Sequence, residues 1–139
     1  MVTVDTFKRG FHKGIASLWE LTKVVVPVYT LITFLKYTPV LDWVAGVCEP
    51  FMKFLGLPGE SSVVLVAGKL INLYAALGAI SSLDLSSREI TILATMLLLS
   101  HSLPMEAAVA QKAGGSGIFM TVMRLAVALI AGIIMNMII

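Results

Sequence analysis

The stretch LPGESSVVLVAGK, residues 57–69, decides how this chain folds, because it recurs 46 residues later as LPMEAAVAQKAGG, residues 103–115. Both copies contain Leu-Pro-x-Glu, two small residues, a valine and a later Ala-Gly. Proline suits the first turn of a helix and cannot continue a preceding one. The sequence therefore predicts an internal repeat of two helix starts, which carry Glu60 and Glu106. The alternative is that the similarity arises by chance, because two segments of a chain rich in Ala, Leu and Val are expected to share some identical residues.

The composition around the repeat is that of a membrane protein. Of 139 residues, 58% are hydrophobic and 13% are charged, whereas a soluble domain has about 25% charged residues. This predicts an all-α integral membrane protein with three to four spanning helices of ~20 residues. The net charge of +2 does not indicate nucleic acid as a partner. The single Cys48 excludes an intrachain disulfide, and no CxxC or HExxH spacing indicates a structural metal site.

Three apolar stretches are long enough to span a bilayer: residues 21–37, 63–83 and 118–139. Between the last two, Ser86 and Glu89 form a capping-box pattern, which predicts a helix from Ser87. The apolar part of that helix, residues 90–103, reaches only ~21 Å, less than the ~30 Å hydrocarbon core. Pro104 then begins a second short helix, which GGSG at residues 114–117 ends. The sequence thus predicts broken or re-entrant half-helices in this region.

The ends of the first span are amphipathic. Residues 1–20 place Phe7 and Phe11 on one face and basic residues elsewhere, which predicts a basic amphipathic N-terminal helix in the membrane interface. A disordered basic leader is the alternative, and no cleavable signal peptide is expected. Residues 21–139 are predicted to form a single membrane domain. Within it, residues 40–55 are predicted to form a second interfacial helix, kinked or split at Pro50. Basic residues before the first span predict that the N-terminus is inside.

Four charged residues lie in or beside the apolar segments: Glu60, Lys69, Glu106 and Arg124. A charge at mid-bilayer costs about 2.5–3.5 kcal/mol on insertion scales. These side chains must reach the interface, pair with each other or line a wet cavity. Interrupted hydrophobic segments at corresponding positions of two halves indicate a transporter binding site. Alternatively, both carboxylates have purely structural roles at helix starts.

Three segments carry a resemblance to a known family: FLGLPGESS at residues 54–62, SLDLSSREITILATMLLLSHSLPMEAAVAQKAGG at residues 82–115, and a final span with the lone Arg124. Residues 17–134 resemble the nucleoside-recognition, or Gate, domain. That domain occurs in spore maturation proteins A and B, in the membrane part of the ferrous iron transporter B family and in concentrative nucleoside transporters. By position, the resemblance implies a substrate site whose residues are Glu60, Ser61, Ser62, Asn72, His101 and Glu106.

The resemblance also implies a partner. Concentrative nucleoside transporters are several times longer than this chain and contain more than one such unit. A complete pathway would therefore need a second copy, in a homodimer, or a paralogous Gate-domain subunit.

We expect a small membrane transport unit that forms an oligomeric carrier for a small polar solute such as a nucleoside. It would use Na⁺ or H⁺ coupling and no other cofactor. The expected location is the cytoplasmic membrane of a prokaryote. Two alternatives stay open: a non-transporting membrane subunit that assembles with a partner protein, and passage of a divalent metal ion. An enzyme is not expected, because no nucleophile and base form a recognisable pair.

Overall fold

A computed structural model of the chain describes residues 4–139, which form seven helices. Residues 1–3, the start of the predicted N-terminal helix, lie outside the described residues. The helices are α1 (Val4–Lys36), α2 (Pro39–Lys53), α3 (Ser61–Leu70), α4 (Leu73–Ser82), α5 (Ser87–Leu99), α6 (Leu103–Lys112) and α7 (Gly117–Ile138).

Helix α1 is a single continuous helix of 33 residues. At 1.5 Å per residue it is about 50 Å long, so it exceeds the ~30 Å hydrocarbon core. The structure therefore places no helix boundary near residue 20, and the helix continues through Pro27. Phe7 and Phe11 in its first half are exposed. The interfacial location of that half stays a prediction.

The second half of α1 packs against α4 at Gly78. A Cβ atom on Gly78 would lie 2.8 Å from the backbone oxygen of Val25 and 3.3 Å from the nitrogen of Tyr29. Because these are backbone atoms of a helix, they cannot rotate away. Gly78 thus allows the two helices to approach closely, as small residues do in membrane helix pairs.

We expect Gly78→Ala to lower the thermal unfolding temperature of the purified protein, since overpacking costs about 1–3 kcal/mol. Gly14→Ala is the matched control. No atom lies within 4 Å of a Cβ at Gly14, so this change should be neutral or stabilising by up to about 1 kcal/mol through helix propensity. Equal unfolding temperatures for the two variants would contradict the close α1–α4 contact.

Residues 63–83 do not form the single predicted span. The segment breaks between Leu70 and Leu73 into the ten-residue helices α3 and α4. Asn72 is extended at φ −170° and ψ 173°, and its side-chain oxygen accepts a hydrogen bond from the amide of Ala75 at 2.9 Å. An asparagine side chain that bonds nearby backbone groups offers the chain an alternative to a continuous helix. Because the segment is mostly apolar, its hydropathy predicts one continuous helix and does not indicate this break.

The second break lies where the proline predicts it. The capping box of Ser86 and Glu89 is present at the start of α5. Helix α5 ends at Leu99, and α6 begins at Leu103 after Ser102, which has a left-handed conformation at φ 48°. The predicted apolar helix over 90–103 is therefore four residues too long at its end. The predicted final span is confirmed as α7.

Three described segments are long and apolar enough to cross a membrane: Val4–Lys36, Ser87–Lys112 and Gly117–Ile138. Two shorter apolar helices, α3 and α4, complete the fold. Helix α2 continues through Pro50 and is not split there. The predicted all-α integral membrane class is confirmed.

The protein core is small and centres on α5. Ile92, Leu93, Met96 and Leu97 are at most 1% exposed and cluster with Val64 of α3. By contrast, many large apolar side chains of α1 and α7 are exposed. In an integral membrane protein such surfaces contact lipid or another protein. Helices α3 and α5 therefore form the interior, and α1 and α7 form much of its periphery.

An ion pair connects the C-terminal end of α1 to the loop between α4 and α5. The ammonium of Lys36, at the end of α1, donates to Asp84 Oδ2 at 2.5 Å in the α4–α5 loop. This hydrogen bond, assisted by the charge attraction, lowers the pKa of Asp84. A lowered folded-state pKa contributes stability above the unfolded value of about 3.9, and that contribution disappears as the pH falls through the folded pKa.

We therefore expect Asp84→Asn to lower the unfolding temperature at pH 7, and the difference from the parent to shrink below about pH 4. The effect should be small because both groups are solvent-exposed. Unfolding temperatures measured across this pH range check it, and Lys36→Gln, which removes the other partner, should show the same pH-dependent difference. A difference that stayed constant with pH would show that the ion pair does not stabilise the fold.

Candidate functional site

The two helix breaks meet at the C-terminal end of α3. The amide of Asn72, in the first break, donates to the carbonyl of Ala67 at 3.3 Å. The amide of Ser102, in the second break, donates to the next carbonyl, that of Gly68, at 2.9 Å. Two interruptions that are 30 residues apart in the sequence are thus held side by side by successive carbonyls of one helix.

Gly68 permits this meeting. A Cβ atom there would overlap the side chain of Leu97 and would lie 3.0 Å from the Cβ of Ala76. Because Ala76 belongs to α4 and Leu97 to α5, a larger residue at 68 would have to displace the Leu97 side chain and would crowd α4. The Ala-Gly of the first repeat copy therefore has a packing role.

Ionisable and polar side chains surround the second break. We name Lys69, Ser100, His101, Glu106 and Arg124 the helix-break cluster. Arg124 of α7 donates from Nε to the carbonyl of Leu99 at 2.9 Å and forms an ion pair with Glu106. His101 Nδ1 lies 3.9 Å from Glu106 Oε1 and 3.4 Å from Ser102 Oγ. Arg124 thus satisfies the C-terminal end of α5 and compensates the carboxylate of α6.

Lys69 has a different environment. Its ammonium donates to the hydroxyl of Ser100, which is fully buried and donates in turn to the carbonyl of Met96 at 3.1 Å. Among residues 4–139, the ion pairs found do not include Lys69. Arg124 therefore compensates a carboxylate, as its place in an apolar span predicts, but Lys69 does not.

A groove of about 550 Å³ opens beside the cluster, between α6 and α7. Glu106 and Arg124 contribute its polar groups, and Met105, Met120 and small residues of α6 line the rest. The side chains of Glu106 and Arg124 are 31% and 20% exposed. The groove therefore opens onto this ion pair.

The first repeat copy lies at the opposite end of α3. Glu60 is the N-cap residue of α3, and Ser61 is its first residue, so they precede Gly68 by eight and seven residues along the helix. That separation is about 10–12 Å. The structure therefore does not bring Glu60, Ser61 and Ser62 together with His101 and Glu106 within one chain.

The helix start at the first copy also differs from the prediction. Pro58 precedes α3 by a turn, in which the amides of Ser61 and Ser62 bond to the carbonyls of Pro58 and Gly59 at 3.0 and 3.1 Å. Glu60 is consequently at the N-cap, outside the first turn, without a capping side-chain hydrogen bond. Those amides are already satisfied and are not free for a ligand. At the second copy the prediction is correct, with Pro104 and Glu106 in the first turn of α6.

Ser61 and Ser62 are both buried, and within the described part of the chain their hydroxyls have no hydrogen-bond partner. Asn72, in contrast, uses its side-chain oxygen to cap α4. Among the predicted site residues, the structure thus gathers only His101 and Glu106 in one cluster.

Sequence reasoning missed two contributions. Ser100 was not identified, although a serine directly before His-Ser-Leu-Pro at a helix end is a visible signal. The second omission is a polar clamp at the opposite end of α7. Arg88 donates to the carbonyls of Gly56 and Asn136, both at 3.1 Å, and Asn136 donates to the carbonyl of Phe54 at 3.3 Å. Asn136 as the one asparagine of an apolar span could have indicated it.

This clamp fixes the segment that leads to Glu60. Gly56 has φ +65°, a left-handed conformation that favours glycine. A Cβ atom there would overlap the side chain of Asn136. Arg88 and Asn136 therefore hold the first repeat copy in place from α5 and α7.

Comparison with known proteins places these features in a family. Residues 18–119 match the Gate family, described as nucleoside recognition. The chain is 41% identical over 133 residues to the uncharacterized membrane protein YvoD of Bacillus subtilis. The aligned region covers 95% of this chain and 42% of YvoD. The chain is 36% identical over 100 residues to the inner membrane protein YjiG of Escherichia coli K12, covering 69% of this chain and 63% of YjiG. The chain thus spans less than two thirds of either relative. No solved structure is significantly similar.

Proposed function

The chain belongs to the Gate family of nucleoside-recognition proteins, and from that premise we propose that it is one unit of an oligomeric membrane carrier for a small polar solute. The observation that carries the proposal is the meeting of two helix breaks at Ala67 and Gly68, beside an ion pair and a histidine. In membrane proteins, irregular backbone at membrane depth occurs where it is buried in protein or lines a water-filled cavity.

The cluster has the chemistry for proton coupling. His101 lies beside the Glu106 carboxylate, and an imidazole and a carboxylate can both take up and release a proton. We propose that these two side chains contact the solute or exchange the coupling proton, and that Na⁺ is the alternative coupling ion. Glu60, Ser61 and Ser62 would contribute from the other end of α3. Asn72 would act by shaping the first break.

A second unit would complete the pathway. The groove beside Glu106 is open in the single chain, and the chain matches only 42% of the length of YvoD. These observations support a second Gate unit, either another copy in a homodimer or a paralogous subunit. The excess of basic residues before the first span, with Lys8, Arg9 and Lys13 among them, supports an N-terminus on the inside of a prokaryotic cytoplasmic membrane.

Uptake into proteoliposomes tests the proposal. The purified protein would be reconstituted and supplied with labelled nucleosides, amino acids and small organic acids, under separate Na⁺ and proton gradients. We expect gradient-dependent accumulation of at least one solute class. Absence of uptake across the panel, together with no ligand that raises the unfolding temperature, would contradict a carrier.

The second candidate is a non-transporting membrane subunit that assembles with a partner protein. The longer chain of YvoD favours it, because a unit of this size could serve as part of a larger assembly. Purification in a mild detergent separates the two candidates. A stable homo-oligomer that binds solute supports the carrier, whereas a chain that is stable only with a second protein and binds no solute supports the subunit.

Passage of a divalent metal has less support. Among residues 4–139, no group of three or more His, Cys, Asp or Glu side chains is close enough to hold a metal ion. His101 and Glu106 would have to be joined by ligands from a second chain.

A further inference from the structure

The helix-break cluster carries an excess of positive charge. Arg124 and Glu106 form an ion pair, so their formal charges cancel. Lys69 remains, with the Ser100 hydroxyl as its partner. Even with His101 neutral, the cluster therefore has a formal charge of +1.

No carboxylate of the described chain compensates Lys69. Glu20, Glu49 and Asp84 pair with other lysines, Glu89 belongs to the capping box of α5, and Asp5 and Asp42 lie in the first turns of α1 and α2. Glu60 lies at the far end of α3. A half-buried ammonium has three donors, and one hydroxyl satisfies one of them. The site therefore favours an additional group that is negative and accepts hydrogen bonds.

The backbone at the breaks does not compensate Lys69 either. The carbonyls at the ends of α3 and α5 carry partial negative charge, but donors of the protein bond to those of Ala67, Gly68 and Leu99: the amides of Asn72 and Ser102 on α3, and Arg124 on α5. Glu106 lies in the first turn of α6 and compensates the partial positive charge of that helix end. The helix ends at the cluster thus leave the charge of Lys69 unbalanced.

We propose that the solute bound at the helix-break cluster is a small oxyanion, a carboxylate or a phosphate, and that Lys69 holds its negative charge. This inference rests on the proposed carrier function and narrows its solute class. A metal cation would be repelled by the uncompensated charge of Lys69. A neutral nucleoside would leave the ammonium uncompensated.

Binding to the intact protein in lipid nanodiscs tests the inference. The probes are succinate, inorganic phosphate and uridine, each measured by equilibrium dialysis at constant NaCl concentration. Succinate and phosphate distinguish the two sources of an oxyanion, and uridine is the neutral reference. We expect at least one oxyanion to bind the parent protein, and Lys69→Gln to weaken that binding about tenfold or more, because a charged hydrogen bond is lost. Lys69→Arg should retain much of it.

Lys112→Gln is the matched control, since it removes one positive charge from the exposed C-terminal end of α6. It should leave binding unchanged. If Lys69→Gln does not fold, the parent protein provides a second readout. Bound succinate or phosphate should protect Lys69, but not Lys112, from an amine-reactive reagent, as measured by mass spectrometry.

Three results would overturn the inference. The first is that neither oxyanion binds. In that case, binding of uridine would leave the carrier proposal intact. If no solute of the wider panel binds or moves, the carrier proposal fails together with the oxyanion inference. The second is equal oxyanion binding by the parent protein and Lys69→Gln. The third is that Lys69→Gln dissociates an oligomer without changing oxyanion binding, which would assign the partner of Lys69 to a second subunit.

Discussion

Arg124→Leu should lower the unfolding temperature of the protein strongly, because it removes one partner of the ion pair with Glu106. Removal of one partner from a buried ion pair costs about 3–5 kcal/mol, because the remaining charge is left uncompensated. The lower end of that range applies to this pair, because the side chains of Arg124 and Glu106 are 20% and 31% exposed. The change also leaves the carbonyl of Leu99 without its donor.

Thermal unfolding in detergent or nanodiscs measures this effect. Met123→Leu, at the neighbouring exposed position, is the control and should change the unfolding temperature little. The double variant Arg124→Leu/Glu106→Leu should recover part of the loss, because neither charge is then left alone. If Arg124→Leu were as stable as Met123→Leu, the ion pair would have no structural role.

Glu106→Gln should have a different profile: a large loss of function with a smaller loss of stability than Arg124→Leu, because Arg124 keeps its bond to the Leu99 carbonyl. A glutamine is nearly isosteric and its oxygen can still accept a hydrogen bond from Arg124. Glutamine cannot exchange a proton with His101, and the substitution removes the negative charge that balances Arg124. We expect gradient-driven uptake to fall at least tenfold, since an interaction with a charged group contributes about 1.5–3 kcal/mol.

The control is Glu49→Gln, which neutralises an exposed carboxylate of α2. It should retain both uptake and unfolding temperature. Aggregation of Glu106→Gln would instead assign this carboxylate a structural role at the start of α6. Full uptake with a normal unfolding temperature would remove Glu106 from the transport mechanism.

Much of this fold could be predicted from local signals. The apolar length of residues 118–139 predicts α7, Ser86 and Glu89 predict the start of α5, and Pro104 predicts the second helix break. Each of these signals is a property of a few neighbouring residues. The predictions based on these signals therefore do not depend on the tertiary contacts.

The first break was not predicted, because its cause is subtle. Residues 63–83 are apolar enough to span, and a single asparagine in such a segment is compatible with a continuous helix. Asn72 ends it because its side chain caps α4 and its amide turns back to Ala67. Similarly, nothing in the sequence shows that α1 continues unbroken from its basic first half into the apolar second half.

The site was only partly predictable for a tertiary reason. The resemblance identifies His101 and Glu106, and the lone Arg124 is an obvious partner for a membrane carboxylate. That Glu60 lies about 10–12 Å along α3 from the meeting point of the breaks follows from the length of this helix, which depends on where the unpredicted break falls. The isolation of Lys69 from carboxylates is likewise a consequence of how α3 and α5 pack.

The central claim is that the two helix breaks enclose a hydrated polar site within the membrane, and cysteine accessibility measures it most directly. His101→Cys and Ala126→Cys would be compared in a Cys48→Ala background in intact membranes. Ala126 is exposed on the side of α7 away from Arg124, two residues along the same helix, and therefore at similar depth.

A charged, water-soluble thiol reagent should modify the cysteine at position 101 and leave the one at position 126 unmodified. Modification at 101 should also slow when a transported solute is present. If position 101 is as unreactive as position 126, the breaks lie in a dry interior, and they do not form a solute site.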